Sequence, residues 1–143
     1  MNPLIESFGV IPLKQFEGIW KVFVILHKEG HHWGFPKGRK NPGEQPLQSA
    51  QRELFEETGL KVVKLISPDP LIEDYSFRHQ RKPQRKRVYY FIAEVEGDIR
   101  LQPEEIREGK WLPLAQAAES LTFAEARAIC DHVLKLLAKN PAS

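Results

Sequence analysis

The sequence predicts an α/β (α+β) fold in which a mixed β-sheet is sandwiched between helices, an α/β/α sandwich formed as one domain by residues 1–143. Segments rich in β-branched and aromatic residues are mixed with helical segments, without the strict strand–helix alternation of an all-parallel sheet. With 143 residues, 41% hydrophobic and 28% charged, the chain can bury one core and has the composition of a globular protein.

The predicted strands are runs of β-branched and aromatic residues bounded by turn residues. They cover residues 7–13, 20–27, 33–37, 62–66, 71–77 and 87–95. Residues 78–87 contain six cations and no acid and are predicted to form a basic loop. Residues 103–109 are predicted to be a polar loop, and residues 110–113 lead into a short helix near 115–120.

The first long helix is predicted from its apolar periodicity. Leu47, Ala50 and Leu54 recur at i, i+3 and i+7, which places them on one face that would dock on a core. Pro46 suits a first helical turn, where its missing N–H costs nothing. Gly59 is expected to end the helix in a left-handed conformation.

The last helix carries local signals at both ends. Thr122 and Glu125 have the spacing of a capping box, and Asn140-Pro141 is expected to end the helix. The predicted buried stripe is Phe123, Ala126, Ile129 or Cys130, Val133 and Leu137.

Three carboxylates share one face of the first helix. Glu53, Glu56 and Glu57 are spaced i, i+3, i+4, so they emerge within one turn. Like charges 4 Å apart repel by about 4 kcal/mol at an effective dielectric near 20, so such a cluster calls for a neutralising partner. Hard oxygen ligands suit Mg²⁺ or Mn²⁺. Arg52, four residues before Glu56, can hold a carboxylate through a forked hydrogen bond.

Residues 38–60 fit a longer pattern, G-x5-E-x7-R-E-U-x-E-E-x-G-U, where U is aliphatic. The specified positions are Gly38, Glu44, Arg52, Glu53, Leu54, Glu56, Glu57, Gly59 and Leu60. This pattern is the Nudix box, so the chain resembles the Nudix hydrolases, which split nucleoside diphosphates linked to another moiety. The resemblance covers nearly the whole chain and implies the same α/β/α architecture.

Segments outside the box resemble one group of these enzymes. The segments HHWGFPKG (31–38), KRVYYFIAE (86–94) and WLPL (111–114) are similar to those of the asymmetric diadenosine tetraphosphate hydrolases. That resemblance implies Mg²⁺-dependent (or Mn²⁺-dependent) hydrolysis of this dinucleotide to ATP and AMP. Phe35 departs mildly from it, because some of those enzymes have a second proline there. A similar lead segment also occurs in RNA pyrophosphohydrolases and diphosphoinositol polyphosphate hydrolases.

Roles for individual residues are assigned as expectations. The metal ligands are Glu53, Glu56 and Glu57, and the catalytic set is Glu57, Glu56, Arg52 and Glu105. The base that deprotonates water is left open between Glu56 or Glu57 on the helix and Glu104 or Glu105 in the polar loop, with Glu105 favoured because Ile106 would anchor that loop.

Substrate contacts are expected from two kinds of side chain. Lys37, Lys86 and His32 would contact phosphate, whereas Tyr75 and Tyr90 would stack on adenine, each with core packing as the rival role. In an alternating strand Tyr89 and Tyr90 face opposite ways, so only one of them can line a cleft.

The remaining expectations concern context. The partner is a small dinucleoside polyphosphate, with no membrane and no stable nucleic-acid partner, and the protein is expected to be a cytoplasmic monomer. Cys130 is the only cysteine, so no internal disulfide is possible and a reducing cytosol is expected. The net charge of +2 is too small to imply nucleic-acid or membrane binding by itself. Two alternatives stay open: hydrolysis of 5′-triphosphorylated RNA or inositol pyrophosphates, favoured by the basic window, and a nucleotide-sensing module without catalysis.

Overall fold

The structure is a computed structural model and describes residues 3–139. Its strands, in chain order, are β1 (Leu4–Phe16), β2 (Ile19–His27), β3 (His32–Gly34), β4 (Lys37–Gly38), β5 (Lys61–Leu65), β6 (Leu71–His79), β7 (Lys82–Glu96) and β8 (Ile106–Pro113). Its helices are α1 (Pro46–Thr58), α2 (Leu114–Ala117), a 3-10 turn (Ala118–Ser120) and α3 (Ala124–Lys139).

The strands form one mixed sheet, which confirms the predicted fold class. The central order is β3-β2-β1-β7-β5, with β8 paired to β2, β6 to β7 and β4 to β1. The β1–β7 pair is parallel and the other pairs are antiparallel. One core lies between the sheet and α1, where Leu54 is fully buried, and a second lies between the sheet and α3, where Val133 is fully buried. The helices therefore cover both faces.

Helix α1 forms as the local signals predict. At its start the Gln45 backbone N–H donates to Gln48 Oε1 at 2.7 Å, and Pro46 occupies the first turn. Gly59 ends the helix with φ +83°, a conformation that glycine adopts without steric cost. Its N–H donates to the Phe55 carbonyl at 2.9 Å. The acidic face is thus held at a fixed orientation above the sheet.

The prediction of a basic loop at residues 78–87 is wrong, because this segment forms a β-hairpin. Strands β6 and β7 pair from Leu71↔Tyr90 to His79↔Lys82. Gln80 and Arg81 make the turn with φ values of +51° and +65°. The backbone groups are satisfied by cross-strand pairing, and alternation sends the cationic side chains to both faces. Arg78, Arg81, Lys82 and Arg85 remain exposed to water.

Two other strand boundaries differ from those predicted. The polar loop ends at residue 105, because residues 106–113 pair with β2 as β8. The single strand expected at 33–37 is divided: β3 pairs with β2, whereas β4 pairs with β1. Both differences follow from long-range pairing, which a local reading of residue type does not contain.

The capping box predicted for α3 is wrong. The helix begins at Ala124, and the Thr122 Oγ1 instead accepts a 2.8 Å hydrogen bond from the Trp33 backbone N–H, which ties β3 to the start of α3. Phe123 is 51% exposed rather than part of the buried stripe, although the other predicted members are buried. Asn140-Pro141 lies outside the described residues. Within residues 3–139 no helix has the length and apolar character needed to cross a membrane.

Candidate active site

Arg52 organises the acidic face of α1. Its Nε donates to Glu44 Oε2 at 2.7 Å, and its Nη1 donates to Glu53 Oε1 at 2.9 Å and to Glu56 Oε1 at 3.1 Å. Its Nη2 also donates to the Arg39 carbonyl at 2.8 Å. The sequence suggested a fork to a single carboxylate, whereas the guanidinium joins three carboxylates and the loop that precedes the helix.

The three glutamates of the predicted metal set do not share one environment. Glu53 and Glu57 line a cleft of about 810 Å³, which we call the acidic cleft. The Glu56 side chain is 45% exposed and turned towards Arg52, and it is not among the cleft-lining residues of the described chain. Gly38 lies directly against Glu53, since an added Cβ there would overlap the Glu53 carboxyl group.

Glu57 is the most buried of these carboxylates, with 3% exposure. Burial, together with the negative charges of Glu53 and Glu105, raises its pKa to about 8. Its Oε1 accepts a 3.3 Å hydrogen bond from the Lys37 backbone N–H. Burial also raises the pKa of Glu53, and the charges of Glu56 and Glu105 add to this, while Arg52 opposes it. The positive charges of the protein thus neutralise the negative charge of these carboxylates only in part.

The segment before β8 brings two further carboxylates to the acidic cleft, Glu104 and Glu105. It is attached to the end of α1, because Gln102 N–H donates to the Glu57 carbonyl at 3.1 Å. The Glu105 carbonyl accepts from the Lys28 N–H at 2.8 Å, and Ile106 is 3% exposed. The burial of Ile106 anchors this segment beside the helix, as the sequence suggested.

Cations line the same cleft as the carboxylates. Lys37, Arg39 and Lys86 line it, on or beside β4 and on β7. Burial and the neighbouring charges of Lys37 and Arg39 lower the pKa of Lys86 to about 8. Like-charged side chains held together in this way are stabilised by an anion bound between them. The cleft therefore presents both cations and carboxylates to a ligand.

An aromatic cavity of about 280 Å³ adjoins the acidic cleft and shares His27, His32, Lys37, Tyr75, Phe77 and Phe123 with it. We call it the aromatic chamber, and its aromatic walls are Trp33, Phe35, Tyr75, Phe77, Tyr90 and Phe123. Its volume is near the lower end of the roughly 300–1,000 Å³ typical of ligand pockets. A single heterocyclic base is of the right size and polarity for it.

The two predicted tyrosines have different positions in this chamber. Tyr75, on β6, is half-buried and lines both cavities. Tyr90 is 3% exposed, packs edge-on against Phe35 with ring centroids 5.5 Å apart, and belongs to the core as well as to the chamber wall. Tyr89 points to the opposite face, where it stacks on Phe8. Only one of the adjacent tyrosines lines the chamber.

Two histidines stack where the cavities meet. The rings of His27 and His32 are 4.4 Å apart between centroids and 16° from parallel. Burial lowers the pKa of His27 to about 3 and that of His32 to about 4, with Lys37 contributing to both shifts. Both rings are therefore neutral at pH 7. The His27 Nε2 is buried and has no hydrogen-bond partner among the described residues.

The donor chemistry fits a divalent cation. Glu53, Glu57 and Glu105 supply carboxylate oxygens, and the negative charges of Glu53 and Glu105 repel that of Glu57. A bound hard cation would relieve this repulsion. Within residues 3–139 no three histidine, cysteine or acidic side chains converge on a common point. Glu56, the third predicted ligand, is held by Arg52. The fit rests on the type and charge of the donors.

The structure brings together most of the predicted site residues. The acidic cleft is lined by Lys37, His32, Glu53, Glu57, Tyr75, Lys86 and Glu105. Sequence reasoning missed His27 and Glu73, which line the aromatic chamber. Alternation along β6 offered a signal for Glu73, which lies two residues before Tyr75 on the same face, whereas His27 is brought beside His32 by strand pairing.

Similarity to known proteins agrees with this site. The NUDIX domain family model matches residues 4–132. An asymmetrical bis(5′-nucleosyl)-tetraphosphatase of Rattus norvegicus is 36% identical over 115 residues, covering 78% of this chain and 76% of the rat protein. An RNA pyrophosphohydrolase of Bartonella henselae is 25% identical over 135 residues, covering 78% of each chain.

A solved structure shares the fold. The crystal structure of a C. elegans Ap4A hydrolase binary complex superposes with a TM-score of 0.73 at 23% identity, covering 94% of this chain and 98% of that one. The box carboxylates Glu53, Glu56 and Glu57 lie on α1, Glu53 and Glu57 line a cleft that lysines also line, and the family model matches residues 4–132. The chain belongs to the Nudix hydrolase family.

Proposed function

We propose that this protein is a divalent-metal-dependent pyrophosphohydrolase that cleaves diadenosine tetraphosphate asymmetrically into ATP and AMP by attack of water on phosphorus. One observation carries the proposal: a cleft lined by both carboxylates and lysines adjoins an aromatic chamber and shares six lining residues with it. A polyphosphate attached to a base has this combination of charge and aromatic surface. The 36% identity to an asymmetrical tetraphosphatase supports the choice of dinucleotide.

Lys37, Lys86 and Arg39 bind the polyphosphate chain in this proposal. A tetraphosphate carries about four negative charges, which must be screened before water can approach phosphorus. Phosphate oxygens between Lys37 and Lys86 would relieve the repulsion that lowers the pKa of Lys86 to about 8. His32, neutral and at the junction of the two cavities, is placed to donate a hydrogen bond to a phosphate oxygen.

Nudix hydrolases generally need a divalent metal ion. We propose Mg²⁺, or Mn²⁺, held by Glu53 and Glu57 together with Glu105, and by Glu56 if its carboxylate leaves Arg52. When bound, such an ion neutralises phosphate charge and makes the attacking water more acidic. Arg52 acts as a positioning residue, because its hydrogen bond to Glu53 fixes that carboxylate towards the cleft.

A carboxylate takes the proton from the attacking water. Glu57 and Glu105 are the candidates, because both line the cleft and interact electrostatically, whereas Glu56 faces away from it. The water oxygen bonds to phosphorus, the proton moves to the carboxylate, and the anhydride bond to the leaving ATP breaks with its electron pair on the ATP oxygen. The adenine of the AMP moiety stacks on Tyr75, with Tyr90 as the buried wall of the chamber.

Product analysis tests the proposal. With Mg²⁺ present, diadenosine tetraphosphate should yield ATP and AMP in equal amounts, and in ¹⁸O-labelled water the label should enter AMP alone. ADP as the only product would exclude asymmetric cleavage. If diadenosine tetraphosphate were not hydrolysed with either Mg²⁺ or Mn²⁺, the whole proposal would be wrong.

A second candidate substrate is RNA that carries a 5′-triphosphate. The hairpin turn beside the cleft exposes Arg78, Arg81, Lys82 and Arg85, which a longer polyanion would contact. The RNA pyrophosphohydrolase of Bartonella henselae is a distant relative at 25% identity. Ranking both substrates by kcat/KM separates the two, and a steep loss of RNA turnover with rising salt would favour the RNA substrate.

Substituting Gly38 with alanine should lower kcat by about 100-fold while changing thermal stability little. The new Cβ would overlap the Glu53 carboxyl group, which sits at the end of a flexible side chain and can move away without disturbing the backbone. Turnover of diadenosine tetraphosphate and thermal unfolding are the measurements. If the effect acts through Glu53, G38A should add little further loss in an E53Q background. Full additivity in that double-mutant cycle would contradict this route.

The cellular setting is also proposed. Cys130 is 1% exposed and unpaired, and burial raises the pKa of its thiol to about 12, so it has no role in disulfide chemistry here. We therefore place the enzyme in the reducing cytoplasm. We propose a monomer as the active form, because one chain supplies carboxylates, cations and aromatic walls to the same cleft.

A further inference from the structure

The aromatic chamber contains one half-buried carboxylate that catalysis does not use. Glu73 lies on β6, and alternation places it on the same face as Tyr75 and Phe77. All three residues line the chamber. Glu73 pairs with Val88 on β7, whereas Tyr75 pairs with Lys86, nearer to the turn of the hairpin. Glu73 therefore lies further from the hairpin tip than the tyrosine that lines both cavities.

The Glu73 carboxylate and the phenols of Tyr75 and Tyr90 line the same chamber and interact electrostatically. After burial, the charge of Glu73 is the next largest cause of the raised pKa values of Tyr75 and Tyr90. Burial raises the pKa of Glu73 itself; the positive charges of Lys37 and Lys86 oppose this, and the Glu125 carboxylate adds to it. Among residues 3–139 no donor forms a hydrogen bond with the Glu73 carboxylate.

An aromatic chamber alone cannot distinguish one base from another, because every base has a π-face and stacking is tolerant of its identity. Discrimination requires a polar group that reads the edge of the base. An ionised carboxylate offers acceptors only, so it pairs with an N–H group of the base and not with a bare ring edge. Glu73 is the half-buried acceptor in the chamber, whereas Glu125 reaches it from an exposed position at the first turn of α3.

We propose that Glu73 is a specificity-determining residue that accepts a hydrogen bond from the exocyclic amine of the base held in the aromatic chamber. The enzyme thereby selects nucleotides whose base carries an amino group over those whose base lacks one. This inference rests on the proposed function, since it assumes that the chamber binds a nucleotide base. Beside a base without an amine, the Glu73 carboxylate would remain an unsatisfied acceptor, which costs binding free energy. The preference is therefore for bases that carry the amine.

The test compares two ligands that differ only by the amine: AMP and purine riboside 5′-monophosphate, titrated by calorimetry into the full-length protein. Wild type should bind AMP about 10-fold more tightly, the lower end expected for a hydrogen bond to a charged group. Glu73→Ala should bring the affinity ratio close to one. Glu73→Gln keeps a carbonyl acceptor and should retain part of the preference.

Two matched variants sharpen the result. Asp74→Asn alters the adjacent carboxylate, which lies on the opposite face of β6 and pairs with Arg87 at 2.7 Å, and it should leave the ratio unchanged. Glu125→Gln should also leave it nearly unchanged. The assignment would be overturned if the affinity ratio fell to one in Glu125→Gln but not in Glu73→Ala. It would also be overturned if wild type bound the two ligands equally, a result that does not depend on any variant folding.

The same experiment separates this inference from the proposed function. Hydrolysis of diadenosine tetraphosphate is measured independently on the same preparations. If wild type fails to hydrolyse that substrate but keeps the AMP preference through Glu73, only the proposed function is wrong. If it releases ATP and AMP normally while the two monophosphates bind equally, only the role of Glu73 is wrong.

Discussion

Replacing Glu57 with glutamine should lower kcat by about 10²–10⁴-fold and, in the absence of divalent metal, make the protein more stable above neutral pH. The loss of turnover follows because an amide can neither accept the proton of the attacking water nor supply a charged oxygen ligand. The gain in stability follows from burial: Glu57 is 3% exposed and its pKa is raised to about 8 by burial, Glu53 and Glu105.

The sign of the pH dependence is set by that raised pKa. Between pH 4.5, the ordinary pKa of a glutamate, and about pH 8, its pKa in the folded protein, Glu57 holds a proton that the unfolded chain has released. The stabilisation is complete below the lower value and is lost as the pH rises through about 8. The free-energy difference between E57Q and wild type should therefore grow with pH, towards an upper limit of about 4–5 kcal/mol above pH 8.

Denaturant unfolding of both proteins in EDTA at several pH values measures this difference, and adding Mg²⁺ should stabilise wild type more than E57Q. Glu56→Gln is the comparator, because its side chain is 45% exposed and faces Arg52 rather than the cleft. Its effect on kcat should be smaller than that of E57Q. A pH-independent stability difference, or equal losses of turnover in the two variants, would show that Glu57 is not the critical carboxylate.

The acidic helix could be predicted from the sequence because its determinants are local. The spacing of Leu47, Ala50 and Leu54 fixes the buried face, and the glutamates then occupy the opposite side by helical geometry alone. Gly59 has the left-handed backbone that its position after the helix indicated. Each of these features depends on residues within seven positions of one another, where side-chain periodicity is informative.

The substrate side of the cleft could not be assembled in the same way. His27, Glu73 and Phe123 meet in the aromatic chamber from strands β2 and β6 and the start of α3, and only strand register brings them together. Composition also misled the prediction for residues 78–87, where a high density of cations suggested a loop. Pairing between β6 and β7 prevails there because cross-strand partners satisfy the backbone while most of the cations, Arg78, Arg81, Lys82 and Arg85, stay exposed to water.

The surroundings of Glu56 could not be predicted from the sequence either. Its i, i+3 spacing from Glu53 correctly places both side chains on one helix face, yet the two carboxylates have different surroundings. Arg52 can reach Glu56 at i+4 on the exposed side, and it bonds to Glu44 from the preceding loop as well. Which carboxylate a guanidinium selects depends on the path of that loop, which the helical periodicity does not determine.

Replacing Arg52 with alanine should reduce kcat/KM for diadenosine tetraphosphate by about 100-fold, raise the Mg²⁺ concentration needed for half-maximal activity and lower the unfolding temperature by a few degrees. The guanidinium holds Glu44, Glu53 and Glu56 at 2.7–3.1 Å and binds the Arg39 carbonyl. Without it, Glu53 is free to leave the cleft, and the loop that carries Gly38 loses its link to the helix.

The Mg²⁺ dependence is the readout that separates positioning from mere structural support, since a general loss of stability would not change the metal concentration at half-maximal rate. Arg52→Lys keeps the positive charge but not the planar fork, so it should remain much closer to Arg52→Ala than to wild type. Arg87→Ala is the matched control: it removes another arginine bonded to a carboxylate at 2.7 Å, but on the exposed face of the hairpin. Normal turnover and Mg²⁺ dependence in Arg52→Ala would mean that Glu53 keeps its orientation unaided, through its contact with Gly38.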